Sequence, residues 1–182
     1  KGSTLRGGFG SAFKRLVCFQ KSPGTTCHEC LLVSNCPYSF IFESSPPPDA
    51  KILRNYRDIP RPFILEPPLD SRTYYPPGEK LIFHLVLIGK SIQYLPYFIL
   101  VFREMANRGI GKKRLPAVIR EVNAVNAFSG EKELIYPLAN GAVRNDLDLS
   151  VQGQEILDRW SGLDSQKVQV EFVTMTRLKF EE

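Results

Sequence analysis

The sequence is poor in residues and segments on which several classes of protein depend. Its 182 residues include only two histidines, two methionines and one tryptophan, and no cysteine follows Cys36. No signal-peptide pattern opens the chain. The longest apolar region, residues 81–102, does not predict a membrane-spanning helix, because it is interrupted by His84, Lys90, Gln93 and Pro96. These absences predict a cytoplasmic protein without a membrane segment.

The composition is that of a folded globular protein with a mild basic bias. Hydrophobic residues make up 43% of the chain and charged residues 24%, which suffices for one domain with a sizeable core. Lysine and arginine number 24 against 19 aspartates and glutamates, so the net charge is +5. This excess is compatible with a nucleic-acid partner or an acidic protein partner, and it requires neither.

Residues 3–18 predict an amphipathic helix that ends in basic residues. Ser3 or Thr4 is expected to cap its start, and Lys14 and Arg15 lie where the helix dipole favours cations. Apolar residues recur at spacings of three and four, which predicts a buried stripe made of Leu5, Phe9, Ala12, Phe13 and Leu16.

Three glycines within residues 7–10 weaken this predicted helix. Each costs about 1 kcal/mol relative to alanine, so a close contact must offset the loss. Glycine lets another group approach the backbone closely, and two interpretations follow. The helix packs on a sheet, or a polyanion lies against it beside Arg6, Lys14 and Arg15.

The later segments predict the strands and second helix of an α+β domain. Strands are expected at 63–66, 80–88, 115–127 and 167–173, a hairpin return at 133–136, a helix from Ser91 to the residue before Gly109, and a short helix near 155–160. A strand ahead of Lys1 would complete the βαββαβ order of a ferredoxin-like fold, with one antiparallel sheet and two packed helices. The chain is therefore expected to be a fragment.

The predicted ferredoxin-like domain covers residues 1–175. A cysteine- and proline-rich insertion occupies 18–62, and 176–182 begins a linker to a second domain. Segment 80–88 has apolar residues at both alternating sets of positions, which predicts a central strand covered on both faces. His84 within it is expected to be a core or half-buried histidine.

A glycine-rich loop with three consecutive cations follows the second helix. Gly109 is expected to end that helix, and Lys112, Lys113 and Arg114 follow Gly111. A solvated turn is one interpretation. The other is a contact with a phosphate backbone, because glycines allow close approach and the cations neutralise phosphates.

Four cysteines, Cys18, Cys27, Cys30 and Cys36, fall within nineteen residues. A Cys-x-x-Cys pair with two further thiols nearby can surround a metal ion tetrahedrally, so a structural zinc site or an iron–sulfur cluster is one interpretation. Partly buried free or paired thiols are the other. His28 could replace Cys18 as a ligand, although its neighbour Cys27 makes simultaneous ligation awkward.

Short motifs follow one another in a specific order along nearly the whole chain. They are KGSTLRGGFG at 1–10, RLVC at 15–18, Cys27-x2-Cys30-x5-Cys36-x-Tyr38, FE at 42–43, FILEPP at 63–68, LIG at 87–89, YLPY at 94–97, GIG at 109–111 and TRLK at 176–179. In this order they resemble the CRISPR-associated repeat-processing endoribonucleases of the RAMP superfamily.

The resemblance implies two ferredoxin-like domains that bind precursor CRISPR RNA and cut it within each repeat. Other CRISPR-associated proteins are further expected partners. The implied cut needs no metal: a ribose 2′-hydroxyl attacks the adjacent phosphate and leaves a 2′,3′-cyclic phosphate. The RNA-binding residues expected on this basis are Arg6, Lys14, Arg15, Lys112, Lys113 and Arg114.

The resemblance also implies a histidine as general acid and base. An imidazole with a pKa near ~6.5 can accept one proton and donate another at working pH. His84 lies within a predicted strand, so His28 is the expected catalytic histidine. Tyr38 and Lys14, together with Lys21, are expected helpers that stabilise charge in the transition state.

Two further functions fit the same residues. The first is a non-catalytic RAMP-type scaffold subunit that binds RNA through the cations of the first helix and of the 112–114 loop. The second is a zinc-stabilised protein-interaction module that has no RNA partner. RNA cleavage would indicate the endoribonuclease, and RNA binding without cleavage would indicate the scaffold subunit. Unfolding by a chelator without RNA binding would indicate the zinc-stabilised module.

Overall fold

The computed structural model describes residues 1–20, 26–43, 51, 55, 59–72, 74–139, 141–144, 146, 148–162, 167, 169 and 171. Its contacts divide the chain into two compact units. The first unit comprises Lys1–Pro68 and Arg72–Ile119, and the second comprises Leu69–Ser71 and Arg120–Glu182.

The described residues form a mixed α+β structure. Its elements are α1 (Gly2–Val17), α2 (Pro37–Phe42), β1 (Phe63–Glu66), β2 (His84–Leu87), α3 (Leu95–Arg108), β3 (Glu121–Val125), β4 (Lys132–Pro137) and α4 (Gly153–Trp160). Three short 3₁₀ helices lie at Cys27–Glu29, Val33–Asn35 and Gly89–Tyr94.

Helix α1 is confirmed within one residue of the predicted bounds. Four members of the predicted stripe are buried, but the fifth, Leu16, is exposed, and Val17 takes its place in the core. The predicted caps are wrong, because the helix begins one residue earlier than expected and Lys1 occupies the N-cap position.

The core of the first unit is a cluster of aromatic rings around Phe9. This ring contacts five others, at centroid distances between 4.6 and 5.9 Å, which belong to Phe13, Phe42, Phe63, Phe98 and Phe102. The contacts join α1 to α2, β1 and α3. Burial of these rings is therefore what holds the elements of the first unit together.

Two of the three glycines within residues 7–10 lie where other side chains approach the helix. A Cβ atom at Gly8 would lie 2.8 Å from Sδ of Met105 in α3, and one at Gly10 would lie 3.4 Å from the ring of Phe42. A Cβ atom at Gly7 would meet nothing within 4 Å. The close approach at Gly8 is thus between two helices, whereas the sequence suggested either a sheet or a polyanion against this helix.

Strands β1 and β2 form an antiparallel pair in the first unit. Leu65 lies opposite Leu85 on the covered face, while Ile64 lies opposite Val86 on the other face, where both are exposed. The prediction that 80–88 is a strand covered on both faces is therefore wrong, because nothing described packs on its outer face. His84, opposite Glu66, is exposed and is not a core histidine.

The second predicted helix consists of two parts. The 3₁₀ helix from Gly89 continues directly into α3, whose start accommodates Pro96 in its first turn. Within the 3₁₀ part, Ser91 is buried whereas Ile92 is exposed. Gly109 ends α3, as predicted. Its φ is 91°, a conformation that favours glycine.

The second unit contains the predicted hairpin and short helix. The predicted return strand is confirmed as β4, and Ser129 and Gly130 belong to the turn ahead of it. The register between β3 and β4 shifts after Val122, which is a β-bulge or irregularity. Of the strand predicted at 115–127, only Glu121–Val125 forms a strand in the structure. The predicted strand at 167–173 and the linker at 176–182 lie largely or wholly outside the described residues.

The α+β class is confirmed at the level of its elements. The described strands form two separate two-stranded antiparallel sheets, β1–β2 and β3–β4. The single sheet of a ferredoxin-like fold is not among the described residues, so that fold stays a prediction. No helix in the described part of the chain has the length and apolar character needed to cross a bilayer.

Candidate nucleic-acid interface

The loop after α3 is a compact turn that displays cations. The backbone N–H of Ile110 donates to the carbonyl of Leu115 at 2.8 Å, and that of Leu115 donates back at 3.2 Å. Between Ile110 and Leu115, the N–H of Arg114 donates to the carbonyl of Gly111 at 3.1 Å. The backbone hydrogen bonds fix the loop, so the side chains of Lys112 and Arg114 extend from a defined base.

Three residues of this loop, Gly109, Gly111 and Arg114, have positive φ angles, a backbone conformation that favours glycine. A Cβ atom at Gly109, where φ is 91°, would overlap the carbonyl oxygen of Arg114, so only glycine fits. Arg114 itself has a φ of 48°, which is uncommon for a residue with a side chain. Strained residues of this kind concentrate at binding sites, because the surrounding structure must stabilise them.

A groove of about 290 Å³ lies beside the loop, within the first unit. Helix α1 contributes Thr4 and Gly8 to its wall, and α3 contributes Met105. The loop contributes Gly109, Ile110, Gly111, Lys112 and Arg114. Lys113 does not line the groove, so the run of three cations is divided between the groove and the outer surface.

The groove has a positive electrostatic character. Neither Lys112 nor Arg114 forms an ion pair or side-chain hydrogen bond within the described part of the chain, and no acidic residue lines the wall. Thr4 lies in the first turn of α1, where the helix dipole favours negative charge. An anion that enters the groove would therefore meet unpaired cations.

The predicted cations of α1 have different surroundings. Arg6 is already engaged, because its Nη2 donates to the carbonyl of Leu65 in β1 at 3.3 Å. Lys14 and Arg15 are exposed near the carboxyl end of the helix. The ammonium of Lys14 lies 5.2 Å from the centroid of the Tyr38 ring, which is a cation–π contact.

Tyr38 is placed to keep its hydroxyl proton. Burial raises the pKa of its phenol, and the carboxylate of Glu43 raises it further, while the ammonium of Lys14 opposes these effects. Its ring stacks on Phe42 at 5.0 Å. At neutral pH the phenol is therefore a hydrogen-bond donor, as a group that stabilises negative charge must be.

His28 is exposed in the 3₁₀ helix Cys27–Glu29, separated along the chain from Lys14 and Tyr38. The turn is held by Glu29, whose carboxylate accepts hydrogen bonds from the N–H and hydroxyl of Thr26 at 3.2 and 2.8 Å. These hydrogen bonds lower the pKa of Glu29. Lys21, the other predicted helper, lies outside the described residues, and the catalytic roles stay predictions.

All four cysteines are free and partly buried. Burial raises the pKa of the Cys27 thiol, Glu43, Cys18 and Cys36 raise it further, and the ammonium of Lys14 opposes these effects. Among the described residues, no three His, Cys, Asp or Glu side chains converge closely enough to hold a metal ion. As placed, the thiols do not form a ligand set, and the zinc site stays a prediction.

The sequence did not single out three of the groove residues. Thr4 was expected only as a helix cap, Ile110 only as part of the loop, and Met105 only as a residue within the predicted second helix. A glycine at position 8 of the predicted helix indicated that another group approaches the backbone closely, but the sequence did not indicate which group. No local pattern links Gly8 to Met105, because almost a hundred residues separate them in the chain.

A comparison with models of protein families shows which family the chain belongs to. The model of the AF_1859 N-terminal domain matches residues 1–147, which include α1, the cysteines and the cationic loop. The chain belongs to this AF_1859 family. An uncharacterized protein of Archaeoglobus fulgidus is 25% identical to it over 142 residues.

This alignment covers 76% of the chain and 46% of the Archaeoglobus protein, so the chain spans about half the length of that relative. No solved structure matches the chain. The groove and the cysteine segment both lie within the residues that define AF_1859 membership.

Proposed function

We propose that this member of the AF_1859 family is the RNA-binding part of a cytoplasmic CRISPR-associated endoribonuclease of the RAMP superfamily. Its substrate would be the repeat RNA of CRISPR transcripts. The observation that carries the proposal is the groove beside the 109–114 loop, whose two cations, Lys112 and Arg114, have no partner among the described residues. The order of motifs along the chain supports the choice of family.

The distribution of charge favours a polyanion as the ligand. Residues 1–119 contain 17 lysines and arginines and 8 acidic residues, whereas residues 120–182 contain 7 and 11. The first segment therefore has a net charge of +9 and the second has −4. An acidic partner would be attracted to the first unit, where the groove lies.

The two groups of site residues lie at opposite ends of α1. Thr4 borders the groove and Lys14 contacts Tyr38, so ten residues separate them, or about 15 Å of helix. A single RNA strand that runs along this helix would contact both groups. Backbone binding at the groove would then position a neighbouring phosphate near Lys14 and Tyr38.

The proposed reaction is an internal transfer at a phosphodiester. The 2′-hydroxyl oxygen bonds to the adjacent phosphorus while the bond from phosphorus to the 5′-oxygen breaks. His28 accepts the 2′-hydroxyl proton and then donates a proton to the departing 5′-oxygen. Lys14 and the protonated phenol of Tyr38 would stabilise the charge that develops on the phosphate.

The fold and metal that the resemblance implies belong to the same proposal. In the ferredoxin-like order, β1 and β2 would be the two consecutive strands between α1 and α3. The cysteines would take up zinc only if their side chains move closer together than they are placed. Any such metal would be structural, and no catalytic step passes through it.

Binding is tested with fluorescent single-stranded poly(U) at several salt concentrations. The double variant Lys112→Ala/Arg114→Ala should bind more weakly than the unmodified chain. Its slope of log affinity against log salt should be shallower by about 1.4, because each lost phosphate contact removes about 0.7. Lys113→Ala is the matched control, since it removes a neighbouring charge outside the groove.

Cleavage is tested with labelled CRISPR repeat RNA in excess EDTA. A single cut with a 2′,3′-cyclic phosphate end is expected, and His28→Ala should abolish the cut without weakening binding. Full activity in His28→Ala would remove the assigned acid–base group. Binding without any cut would favour the scaffold function, and equal binding by the loop variants would contradict the groove as the RNA site.

A further inference from the structure

We infer that the groove between α1 and the 109–114 loop is a subsite for one nucleotide, which binds the phosphate and the base together. This inference rests on the proposed function if the nucleotide is part of an RNA strand. It stands by itself if the ligand is a free nucleoside monophosphate. The chemistry is the same in both cases: an anionic phosphate joined to a flat, largely apolar ring.

The size of the groove suits a ligand of this kind. Its volume of about 290 Å³ is just below the range for pockets of drug-sized ligands, about 300–1,000 Å³. A bare phosphate would leave most of this space empty. The groove therefore has room for the ring and sugar that accompany a phosphate.

The lining of the groove combines charged and apolar groups. Lys112 and Arg114 provide charge for a phosphate, and the guanidinium of an arginine can bind two phosphate oxygens at once. Met105 and Ile110 contribute apolar groups to the same lining. Met105 is only 6% exposed, so it offers a ligand a small polarisable patch, which is a favourable neighbour for an aromatic ring.

The groove is formed before a ligand arrives. Its floor is fixed where Met105 packs against Gly8, and its rim is fixed by the paired hydrogen bonds between Ile110 and Leu115. A preformed site loses little conformational entropy when it binds. The left-handed backbone of Arg114 is part of this arrangement, because it sets the direction in which the side chain leaves the loop.

The two methionines of the chain provide a direct probe. In the full 182-residue chain labelled with [¹³C]methyl methionine, the resonance of Met105 is assigned by its loss in Met105→Leu, and Met175 serves as the second signal. Addition of uridine or adenosine 5′-monophosphate should shift the Met105 resonance, because a ring now lies beside its methyl group. Inorganic phosphate should leave it in place.

Affinity gives the second measurement. The nucleoside monophosphate should bind about tenfold more tightly than inorganic phosphate or than the nucleoside alone, since base contacts add to the phosphate contact. Lys112→Ala and Arg114→Ala should each weaken it, and Lys113→Ala should not. Equal affinity for phosphate and nucleotide, with no shift at Met105, would overturn the inference even if RNA binding through the loop is intact.

Competition distinguishes the two sources of the nucleotide. If poly(U) displaces the monophosphate and reproduces the Met105 shift, the subsite holds one residue of an RNA strand. If the monophosphate binds and poly(U) does not, the subsite is real and takes a free nucleotide, and the proposed RNA function fails instead.

Discussion

Ser91 is completely buried and connects the end of β2 to the segment before β1. Its hydroxyl accepts the N–H of Ile88 at 2.8 Å and donates to the carbonyl of Pro62 at 2.7 Å. The sequence suggested Ser91 as a helix cap, whereas its side chain joins two parts of the chain that are almost thirty residues apart. A buried hydroxyl with two partners is costly to replace, because its loss leaves their polar groups with fewer hydrogen bonds.

Ser91→Ala should therefore destabilise the chain by about 1–3 kcal/mol, since it leaves buried polar groups with fewer hydrogen bonds. Ser11→Ala is the control, because Ser11 is exposed on α1 and alanine is a favourable helix residue. The free energy of unfolding is measured by urea denaturation. Equal stability of the two variants would show that the hydroxyl of Ser91 contributes nothing to the fold.

Most candidate residues could be named from the sequence by residue type alone. Lys112 and Arg114 are in the groove, but the pattern Lys-Lys-Arg gave no reason to separate them from Lys113. Arg6 was predicted beside a polyanion, a role that stays a prediction, and its guanidinium also donates to the carbonyl of Leu65. Residue type indicates which chemistry is available, while the direction of a side chain depends on neighbours that lie far away in the chain.

At the scale of elements, helix α1 is the centre of the first unit. Its stripe was readable because the period of 3.6 residues is a local property of the sequence. Phe9, in the middle of the stripe, contacts rings from α2, β1 and α3 at once. Removal of this one ring would therefore loosen every element that packs on the helix.

Phe9→Ala should lower the free energy of unfolding by about 3–5 kcal/mol, because it removes a fully buried ring and leaves a cavity. Phe9→Leu should cost less and keep the chain folded if the alanine variant does not fold. Phe19→Ala is the matched control, since Phe19 is 82% exposed and should change stability little. A small effect of Phe9→Ala would mean that the ring cluster does not hold the first unit together.

Strands were predicted less well than helices. The alternation in 80–88 placed Leu85 and Leu87 correctly towards the core, but it also predicted cover for Val86 and Ile88, which are exposed. An apolar residue on a strand shows only that burial is favourable there. Whether anything covers that face depends on another element, which the strand itself does not specify.

At the scale of the whole molecule, the chain combines a basic first unit with an acidic second segment. Every member of the aromatic and aliphatic core cluster lies between Leu5 and Ile119, in the first unit. The groove residues lie there as well. The first unit therefore has its own core and its own candidate site.

A shortened chain of residues 1–119 should fold and bind without the rest. Circular dichroism should show one cooperative thermal transition, because the buried core is retained in full. Its affinity for poly(U) should stay within about twofold of the full chain at equal salt, since the groove cations are unchanged. Loss of the transition, with the full chain as reference, would show that the second unit is needed for folding.

The sequence by itself determined the local features: the stripe of α1, the stop of α3 at Gly109, the turn at Ser129 and Gly130, and the short helix α4. These depend on periodicity and on the backbone freedom of single residues, so neighbouring positions are enough to specify them. Only the tertiary structure decided that Gly8, Met105 and Arg114 border one groove and that Leu16 faces solvent. Such contacts join residues far apart in the chain, and their free energy is gained only when the whole unit packs.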